Sequence, residues 1–486
     1  MSPGEQQLRT HLERPAGRGR TPEGASTGAA GGAACGDLIR ISLALDPGSA
    51  EGAILDAGFD ASGCGATLAA GSAAVTLIRG AGLLDAALLG ADEIAAELGG
   101  LSAAKRHAAE LTADALHRAL GAAMRTHATL ARSDGRTLVA MSGGVDSAVA
   151  ALLVRRSGQE PVGVTLELWS DAENDGQASC CSAQAVRGAR ELAHSLGMAH
   201  FSVDLRAEFR AGVIDPWLLG HAAGQTPNPC VRCNGSVRLD AMLELADRLG
   251  AAALATGHYA RVHDSRPAPL LRTAADEAKD QSYVLASLDP ASLRRLRFPL
   301  GDMHKSHVRE LARGAGLAVA GRRDSQDLCF LAGTGQRRFL ERHGGLQPRQ
   351  GEILDTAGRT LGRHEGAHAY TTGQRHGLGI SAPEPLYVLD TDTAANTVTV
   401  GPRALLMAPA LSARDVTLHR AGALVDGVRV RAHGRRHACR VPHGLPAGRH
   451  ELVEITLSEP AERTAPGQVA CLYSGDVLVG VGTIAA

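Results

Sequence analysis

The sequence has few aromatic residues and very little lysine. Phe, Trp and Tyr make up 3% of the 486 residues, so Leu, Val and Ala must fill most of the core. Lysine occurs only as Lys105, Lys279 and Lys305, which leaves arginine to carry nearly all of the positive charge. Because the formal net charge is −1, a nucleic-acid site would have to be a local basic patch rather than a field of the whole surface.

The sequence also lacks long apolar runs and a compact cysteine framework. No apolar run reaches the length of a membrane-spanning helix, so we expect no membrane partner. Nine cysteines are scattered along the chain, and no secretory signal is recognisable. This usage predicts free or catalytic thiols in a reducing cytoplasm.

Length and composition predict several globular domains. A chain of 486 residues suffices for about three domains, and 44% hydrophobic with 21% charged residues is ordinary for globular proteins. Residues 1–32 are rich in Gly, Pro, Arg, Thr and Ala and show no periodicity. We therefore expect a disordered tail over this segment.

One stretch combines a strand, a glycine turn and a helix start. Leu138–Met141 is apolar, Ser142 and two glycines follow, and an Ala/Leu/Val-rich helical run comes next. The unpaired N–H groups of a helix start suit an anion, and Gly143 and Gly144 let the backbone approach it without an intervening Cβ. The turn has no Gly-Lys-Ser/Thr ending, which excludes the usual mononucleotide P-loop.

Strand-like and helix-like segments alternate around this stretch. Further strand candidates are Val162–Leu168, His200–Val203 and Ala253–Thr256, with helical segments between them. This order predicts a doubly wound parallel α/β domain over residues 134–345. Its ligand should lie beyond the carboxyl ends of the strands.

Further domains are predicted on both sides of this α/β domain. Residues 33–130, with a strand at Ile39–Leu45 and a helix within Leu101–Ala123, indicate an α+β domain. Residues 346–408 indicate a small β domain that starts with a hairpin. Residues 409–486 show short alternating strands separated by Gly/Pro turns, which predicts a β-barrel.

A series of motifs supports a resemblance to a known family. Ser142–Ser147 reads SGGVDS and resembles the pyrophosphate-binding loop of the ATP pyrophosphatases, the PP-loop. It is followed by TPNPCVRCN (226–234), ATGHYAR (255–261), KDQSY (279–283), FPLG (298–301), DSQDLCF (324–330), YTTGQR (370–375) and PGQ (466–468). In this order, over about residues 136–486, the motifs resemble those of the tRNA-specific 2-thiouridylases. The resemblance implies a sulfurtransferase that adenylates the C2 oxygen of the tRNA wobble uridine with ATP. Persulfide sulfur then replaces that oxygen, giving 2-thiouridine, AMP and pyrophosphate.

The same resemblance assigns roles to particular residues. Cys329 would carry the persulfide and Cys233 would resolve it, leaving a disulfide between the two. Asp146 would position Mg²⁺ or the loop itself. The implied ATP contacts are Ala140, Met141, Ser142, Gly143, Gly144, Val145, Asp146, Ser147, Leu166 and Gly257. The implied tRNA contacts are Asn228, Pro229, Cys230, His258, Lys279, Asp280, Gln281, Arg431, Ala432 and Gln468.

Basic residues cluster in two further places. Arg429–Arg440 contains five arginines and no acid, a pattern that fits either phosphate contacts or a solvated face. A second group would extend a track for RNA phosphates: Arg294, Arg295, Arg297, Lys305 and Arg309.

The first domain carries its own candidate metal site. Cys35, Asp37, Cys64 and His107 lie in short motifs that resemble those of the NifU-type iron–sulfur scaffold domain, but Ala108 stands where that family has a third cysteine. The four candidate ligands suit zinc better than an iron–sulfur cluster. The alternative is a domain without metal that serves for docking. Fusion to a sulfur-inserting enzyme suggests that it docks a protein persulfide donor, either a cysteine desulfurase or a sulfur carrier.

Two other functions stay open at the level of sequence. An ATP pyrophosphatase that activates a carboxyl or carbonyl for amide or ligase chemistry would need no paired cysteines. A cluster-assembly or binding protein would place the function in the first domain. Cys230, Cys233 and Cys329 would also suit three corners of an iron–sulfur cluster, whereas Cys439 and Cys471 lie in strand-like runs and are expected in the core.

Overall fold

The computed structural model describes residues 3–31, 36–171, 182–322, 324, 328–331 and 333–485. The predictions made for Cys35 and for positions 325–327 lie outside the described residues. None of the helices within these ranges is both long enough and apolar enough to cross a membrane.

The first domain is an α+β unit in which helices cover one antiparallel sheet. Its three strands pair in the order β1-β2-β3, and two long helices, α2 and α5, pack against the sheet. The elements are α1 (Pro3–Glu13), β1 (Ser26–Gly31), β2 (Leu38–Leu45), β3 (Ile54–Ser62), α2 (Gly65–Ile78), α3 (Leu83–Ala86), α4 (Ala91–Glu97) and α5 (Arg106–Thr126).

The disordered tail expected for residues 1–32 is wrong for the described residues 3–31. Helix α1 packs on α2, and the Ser72 hydroxyl lies 2.9 Å from His11 Nδ1. Strand β1 is made of small residues because α5 crosses it closely. A Cβ at Gly28 would lie only 2.2 Å from the backbone nitrogen of Ala119. The Gly/Ala composition that suggested disorder is therefore a requirement of close packing.

The second domain contains the predicted parallel sheet. Its strand order is β10-β7-β4-β5-β6, and every neighbouring pair is parallel. Successive residues of β4 join two different apolar clusters, one on each face of the sheet, which confirms the doubly wound arrangement. Two π-helical segments, Arg210–Ile214 and Cys233–Leu239, interrupt the helices between β6 and β7. The elements are β4 (Ser133–Ala140), α6 (Val145–Arg156), β5 (Glu160–Glu167), α7 (Ala183–Ser195), β6 (His200–Asp204), α8 (Arg206–Phe209), α9 (Asp215–Ala222), α10 (Pro229–Arg232), α11 (Asp240–Arg248), β7 (Ala251–Ala255), β8 (Arg261–His263), β9 (Leu270–Arg272), β10 (Leu296–Arg297), α12 (Lys305–Gly314) and α13 (Gln336–Gly344).

A small sheet and a closed barrel complete the chain. The small sheet has the order β12-β11-β14-β13, and β11 and β12 form the expected hairpin. Its strands are β11 (Gly351–Leu354), β12 (Thr360–His364), β13 (Leu386–Asp392) and β14 (Thr397–Pro402). The barrel strands are β15 (Met407–Leu418), β16 (Gly427–Arg429), β17 (His437–Arg440), β18 (Gly448–Glu462), β19 (Val469–Ser474) and β20 (Val477–Ile484). Strand β15 pairs with both β18 and β20, which closes the ring, and β9 joins the outside of the ring through β20. Cys439 and Cys471 are buried in the core, as predicted.

Helix α5 of the first domain packs against β6, the edge strand of the parallel sheet. The two backbones touch, since a Cβ at Gly121 would lie 1.9 Å from the carbonyl oxygen of Ser202. The first N–H of β6, at His200, donates to the carbonyl of Ala87 at 3.0 Å. An edge strand that would otherwise offer unpaired groups is thus covered by the first domain.

Buried ion pairs reinforce this contact between the domains. Arg118 of α5 donates to both carboxylate oxygens of Glu167, at 2.8 and 2.9 Å, and Glu167 ends β5. Asp114 of α5 accepts from Arg187 at 2.7 Å and from Arg190 at 2.8 Å, both on α7. The first domain is therefore an integral neighbour of the parallel sheet, not a module on a free tether.

Candidate active site and metal centre

The predicted nucleotide loop forms a tight turn between β4 and α6. Gly143 adopts a φ of +69°, which favours glycine. The Ser147 hydroxyl donates to the carbonyl of Gly144 at 3.0 Å and accepts from the N–H of Ser142 at 3.2 Å, so it braces the turn from inside. Gly257, after β7, packs directly on the loop, because a Cβ there would lie 2.7 Å from the nitrogen of Ser147.

The other residues expected to contact ATP belong to the same edge of the sheet. Ala140 ends β4, and Met141 donates its N–H to the carbonyl of Val164 at 2.8 Å. Leu166 lies near the carboxyl end of β5 and is buried. The structure thus brings the loop, the end of β5 and Gly257 together at the carboxyl ends of the strands, which is where parallel sheets bind nucleotides.

A charged cluster surrounds Asp146 at the start of α6. Lys305 Nζ donates to both carboxylate oxygens of Asp146 at 2.7 Å and lies 2.9 Å from Asp324 Oδ1. Lys279 binds the other oxygen of Asp324 at 2.9 Å. Burial opposes ionisation of Asp324, but hydrogen bonds from Lys279 and Lys305 lower its pKa to about 2. Two of the three lysines of the chain therefore meet beside the loop.

Tyr259 completes this cluster. Its hydroxyl donates to Asp146 Oδ1 at 2.8 Å, and burial together with the Asp146 charge raises the pKa of the phenol. The sequence motifs contain Tyr259 and Asp324, but nothing in the spacing indicates that they meet Asp146. Lys305, expected only as a phosphate contact, is the partner of the loop carboxylate.

The two proposed sulfur-transfer cysteines lie on segments that pack against the same helical region. Cys233 begins a π-helical segment, and π-helical turns occur frequently at functional sites. The preceding residue, Arg232, donates to the carbonyl of Gly212 at 2.5 Å. Phe330, next to Cys329, packs its ring 5.3 Å from that of Trp217. Gly212 and Trp217 belong to one continuous segment between β6 and α10.

The cysteines of the two motifs differ in exposure, and Cys230 is half-buried. Cys233 is buried and Cys329 half-buried. Burial raises the pKa of the Cys230 thiol, with Arg238 opposing the shift, so Cys230 is a poor source of thiolate.

Three motifs from three domains meet at Thr226, just before Cys230. Its backbone N–H donates to the carbonyl of Pro466 at 2.8 Å, and its carbonyl accepts from the Gln468 side chain at 2.5 Å. Its hydroxyl lies 3.3 Å from that of Thr371. Asn228 accepts from the N–H of Cys230 at 3.0 Å and caps α10, which Pro229 begins. The loop before the cysteines is thus anchored to both β domains.

The remaining residues expected to contact tRNA divide into accessible and structural ones. Arg431 is exposed. The side-chain oxygen of Gln281 accepts a hydrogen bond from the N–H of Tyr259 at 2.9 Å, so Gln281 has a structural contact. Burial, assisted by the Arg238 charge, lowers the pKa of His258 to about 3, so its ring is neutral. Asp280 is buried, and its carboxylate accepts a hydrogen bond from Arg429 Nη1 at 2.6 Å. Arg429 also donates to the carbonyl of Ala432, so it is held inside the fold and the basic run offers fewer free charges than its sequence suggests.

The first domain gathers three of its four candidate metal ligands. One ligand atom from each of Asp37, Cys64 and His107 lies within 4.8 Å of the others. His107 Nδ1 lies 2.9 Å from the carbonyl of Ala104, which places the proton there and leaves Nε2 to face Asp37. A hydrogen bond from Thr67, against the effect of burial, lowers the pKa of Asp37, which favours a charged ligand. Oxygen, sulfur and nitrogen donors at this spacing fit zinc.

Comparison with known protein families assigns each domain. Residues 5–128 match the NifU-like N terminal domain, and residues 135–333 match the tRNA methyl transferase HUP domain. Residues 337–402 match the tRNA methyl transferase PRC-barrel domain, and residues 419–484 match the aminomethyltransferase beta-barrel domain.

Curated relatives share this organisation. A protein of Rubrobacter xylanophilus named bifunctional protein NifU/MnmA is 42% identical, and the match covers 98% of this chain and 97% of that protein. The tRNA-specific 2-thiouridylases MnmA of Solibacter usitatus and Roseiflexus castenholzii are 40% and 41% identical. Those matches cover 71% and 72% of this chain, and 98% and 99% of the relatives. The chain therefore belongs to the tRNA-specific 2-thiouridylase family, in the form that carries a NifU-like domain ahead of the catalytic one.

Proposed function

We propose that this chain inserts sulfur at C2 of the wobble uridine of tRNA in an ATP-dependent reaction. The main support is the arrangement beside the PP-loop, where Lys305 binds Asp146 and Gly257 packs on the loop backbone. In addition, the residues next to the two motif cysteines, Arg232 and Phe330, contact one helical segment. An amide ligase would have no use for the cysteines. Thiols that must be reduced again after each turnover favour the cytoplasm as the place of action.

In the first half-reaction, the C2 oxygen of the uridine attacks the α-phosphorus of ATP and pyrophosphate leaves. The N–H groups at the start of α6 and the Lys305 ammonium stabilise the negative charge of the phosphates. Mg²⁺ bound with ATP would supply further charge neutralisation, and the carboxylates of Asp146 and Asp324, both paired with Lys305 here, are the oxygen ligands that would hold it. The base must be turned out of the RNA stack to reach this edge.

In the second half-reaction, the terminal sulfur of a persulfide on Cys329 attacks C2 and AMP leaves. The Cys233 thiolate then attacks Sγ of Cys329 and breaks the sulfur–sulfur bond, so the sulfur stays on the base as the 2-thio group. A disulfide between Cys233 and Cys329 results. A thiol reductant returns the pair to thiols, and a protein persulfide donor reloads Cys329.

The loop assignment is tested by Gly144→Val and Asp146→Ala. A Cβ at Gly144 meets only Ser142 Oγ, at 3.4 Å, so valine should leave the fold intact while blocking the approach of phosphate. We expect tRNA-dependent pyrophosphate release to fall at least about a hundredfold in both variants, a loss typical of removing one preorganised stabilising group. tRNA binding should persist.

Asp134→Ala is the matched control, because Asp134 is 88% exposed and pairs only with Arg132 in the described chain. It should release pyrophosphate at the normal rate. Normal release by Gly144→Val would mean that this loop does not bind ATP.

For the first domain, we propose a zinc site that adjoins a docking surface for the sulfur donor. Cys35, Asp37, Cys64 and His107 are the proposed ligands. With one thiolate fewer than a scaffold that builds clusters, the site should hold zinc and not assemble iron–sulfur clusters.

Metal analysis of the purified full chain tests this assignment. We expect about one zinc per chain, and none in Cys64→Ser or in His107→Ala, because each variant removes one of four ligands. Cys329→Ser removes a cysteine from another domain and should retain zinc. Equal zinc in Cys64→Ser and wild type, or a stable iron–sulfur absorption spectrum, would contradict the proposal.

A further inference from the structure

A large arginine-lined groove lies between the edge strand β10 and the β8–β9 hairpin. Its volume is about 1090 Å³, and its walls include Arg261, Arg266, Arg272, Arg294, Arg297 and Phe298. We propose that this groove binds the sugar–phosphate backbone of the tRNA next to the target nucleotide. The inference rests on the proposed function, since it extends the binding surface of the same substrate.

The charges in the groove fall into two groups. Arg261 and Arg272 are half-buried and share the carboxylate of Asp476, so they shape the wall. Arg266, Arg294 and Arg297 are exposed and form no ion pair with any described residue. These last three, called the rim arginines below, are available to an anion from solution.

Acidic residues reduce the positive charge of the groove but do not cancel it. Asp264 and Asp302 also line the walls, and Asp302 lies 3.4 Å from Arg261. Five lining arginines therefore face two lining carboxylates. Because the whole chain carries a net charge of −1, this concentration is a local departure of the kind that marks a nucleic-acid surface.

Two of the rim arginines are held in place by main-chain carbonyls. Arg297 donates through Nη1 to the carbonyl of Arg294 at 2.8 Å, and Arg294 donates through Nη2 to the carbonyl of Pro267 at 3.3 Å. Other N–H groups of each guanidinium have no hydrogen-bond partner among the described residues. A guanidinium fork that is already oriented loses less entropy when it binds phosphate.

The groove adjoins the carboxyl end of β7, where the target base is proposed to react. Phe298 lines the groove, and its ring packs edge-on against His258, with centroids 6.4 Å apart. His258 follows β7 at the carboxyl edge of the sheet, beside the PP-loop. A backbone that delivers a nucleotide to that edge would pass directly over Phe298 and into the groove.

The position of the groove also keeps it clear of the first domain. The parallel sheet has β6 at one edge and β10 at the other. The first domain covers β6, whereas the groove adjoins β10. RNA bound along β10 would therefore not overlap with the first domain, which occupies the opposite edge strand, β6.

The test is equilibrium binding of tRNA to the full chain across a range of salt concentrations. In Arg266→Ala/Arg294→Ala/Arg297→Ala we expect the log–log slope to decrease by about 2 to 3, since each phosphate left without its arginine should account for about 0.7 to 0.9. Affinity at physiological salt should fall at least about tenfold. Thiolation should show a raised KM for tRNA, with kcat nearly unchanged, because the rim arginines do not touch the reacting atoms.

Arg14→Ala/Arg18→Ala/Arg156→Ala removes three exposed arginines that form no ion pair with any described residue and do not line the groove, and it serves as the matched control. It should bind tRNA as the wild type does. Arg431→Ala/Arg435→Ala, in the barrel, should weaken binding and serves as the positive reference. Thermal melting of each variant verifies that the fold is retained.

The outcomes separate this inference from the proposed function. A rim-arginine variant with wild-type slope and affinity, in a preparation that thiolates tRNA, would overturn the groove alone. Weaker binding of heparin with unchanged binding of tRNA would also overturn it. A wild-type chain that binds tRNA but never yields 2-thiouridine would instead contradict the proposed function.

Discussion

Cys329→Ser and Cys233→Ser should each reduce 2-thiouridine formation to background, while ATP-dependent release of pyrophosphate in the presence of tRNA continues. A serine hydroxyl can neither carry a persulfide nor resolve one, so the second half-reaction stops. The nucleotide cluster around Asp146 and Lys305 involves neither cysteine, so the first half-reaction remains. The measurement pairs nucleoside analysis of the tRNA with a pyrophosphate assay, using a low-molecular-weight persulfide as the sulfur source, which passes its outer sulfur to Cys329 and leaves as a thiol.

Two further variants sharpen this experiment. Cys64→Ser, a cysteine of the first domain, should thiolate normally with the same low-molecular-weight persulfide, which needs no docking surface. Cys230→Ser separates sulfur transfer from the alternative in which Cys230, Cys233 and Cys329 hold an iron–sulfur cluster. Substantial thiolation by Cys230→Ser fits sulfur transfer, whereas a loss as complete as that of Cys233→Ser fits the cluster. Full thiolation by Cys233→Ser or Cys329→Ser would end the assignment.

Gly121→Val should separate the first domain from the catalytic sheet. The α5 backbone touches β6 at this glycine, and a Cβ would lie 1.9 Å from the Ser202 carbonyl oxygen. Because that oxygen belongs to the backbone of β6, the clash can be relieved only by moving the strand or the helix. We expect a destabilisation of about 3 kcal/mol, the upper end of ordinary overpacking. Thermal melting should begin at a lower temperature, and limited proteolysis should cut between the domains.

Gly135→Val is the control for this substitution. Gly135 is exposed, and the nearest atom to a Cβ there is Ser133 Oγ at 3.9 Å, so melting should be nearly unchanged. Arg118→Gln gives a second route to the same result, because it leaves the buried Glu167 carboxylate unpaired at a cost of about 3–5 kcal/mol. Wild-type melting and proteolysis of both Gly121→Val and Arg118→Gln would show that the contact between the domains does not stabilise the chain.

The sequence was sufficient to predict the catalytic architecture because its signals are local. Leu138–Ser147 combines a strand, a turn and a helix start within ten positions, and the structure has each of them. The parallel sheet followed from the alternation of strands and helices. Local signals of this kind depend on periodicity and glycine conformation, which are visible in a single stretch of chain.

Contacts between distant residues could not be predicted in the same way. Lys305 and Asp146 are 159 positions apart, yet they form the central ion pair of the proposed nucleotide site. Asp280 stands in a motif expected to contact tRNA, but its carboxylate is buried against Arg429 of the barrel. The composition of the Gly/Ala-rich strand β1 resembled that of a disordered segment. Its side chains are small because α5 crosses the strand closely, and α5 lies in another part of the chain.

The most direct test of the account is mass analysis of nucleosides from tRNA incubated with the purified chain, ATP and a sulfur source. The account predicts that uridine at the wobble position becomes 2-thiouridine, with AMP and pyrophosphate formed in equal amounts. The product should disappear when ATP is omitted or when Cys329 is replaced by serine. AMP and pyrophosphate formed without any thiolated nucleoside would contradict the account and favour an ATP pyrophosphatase of another class.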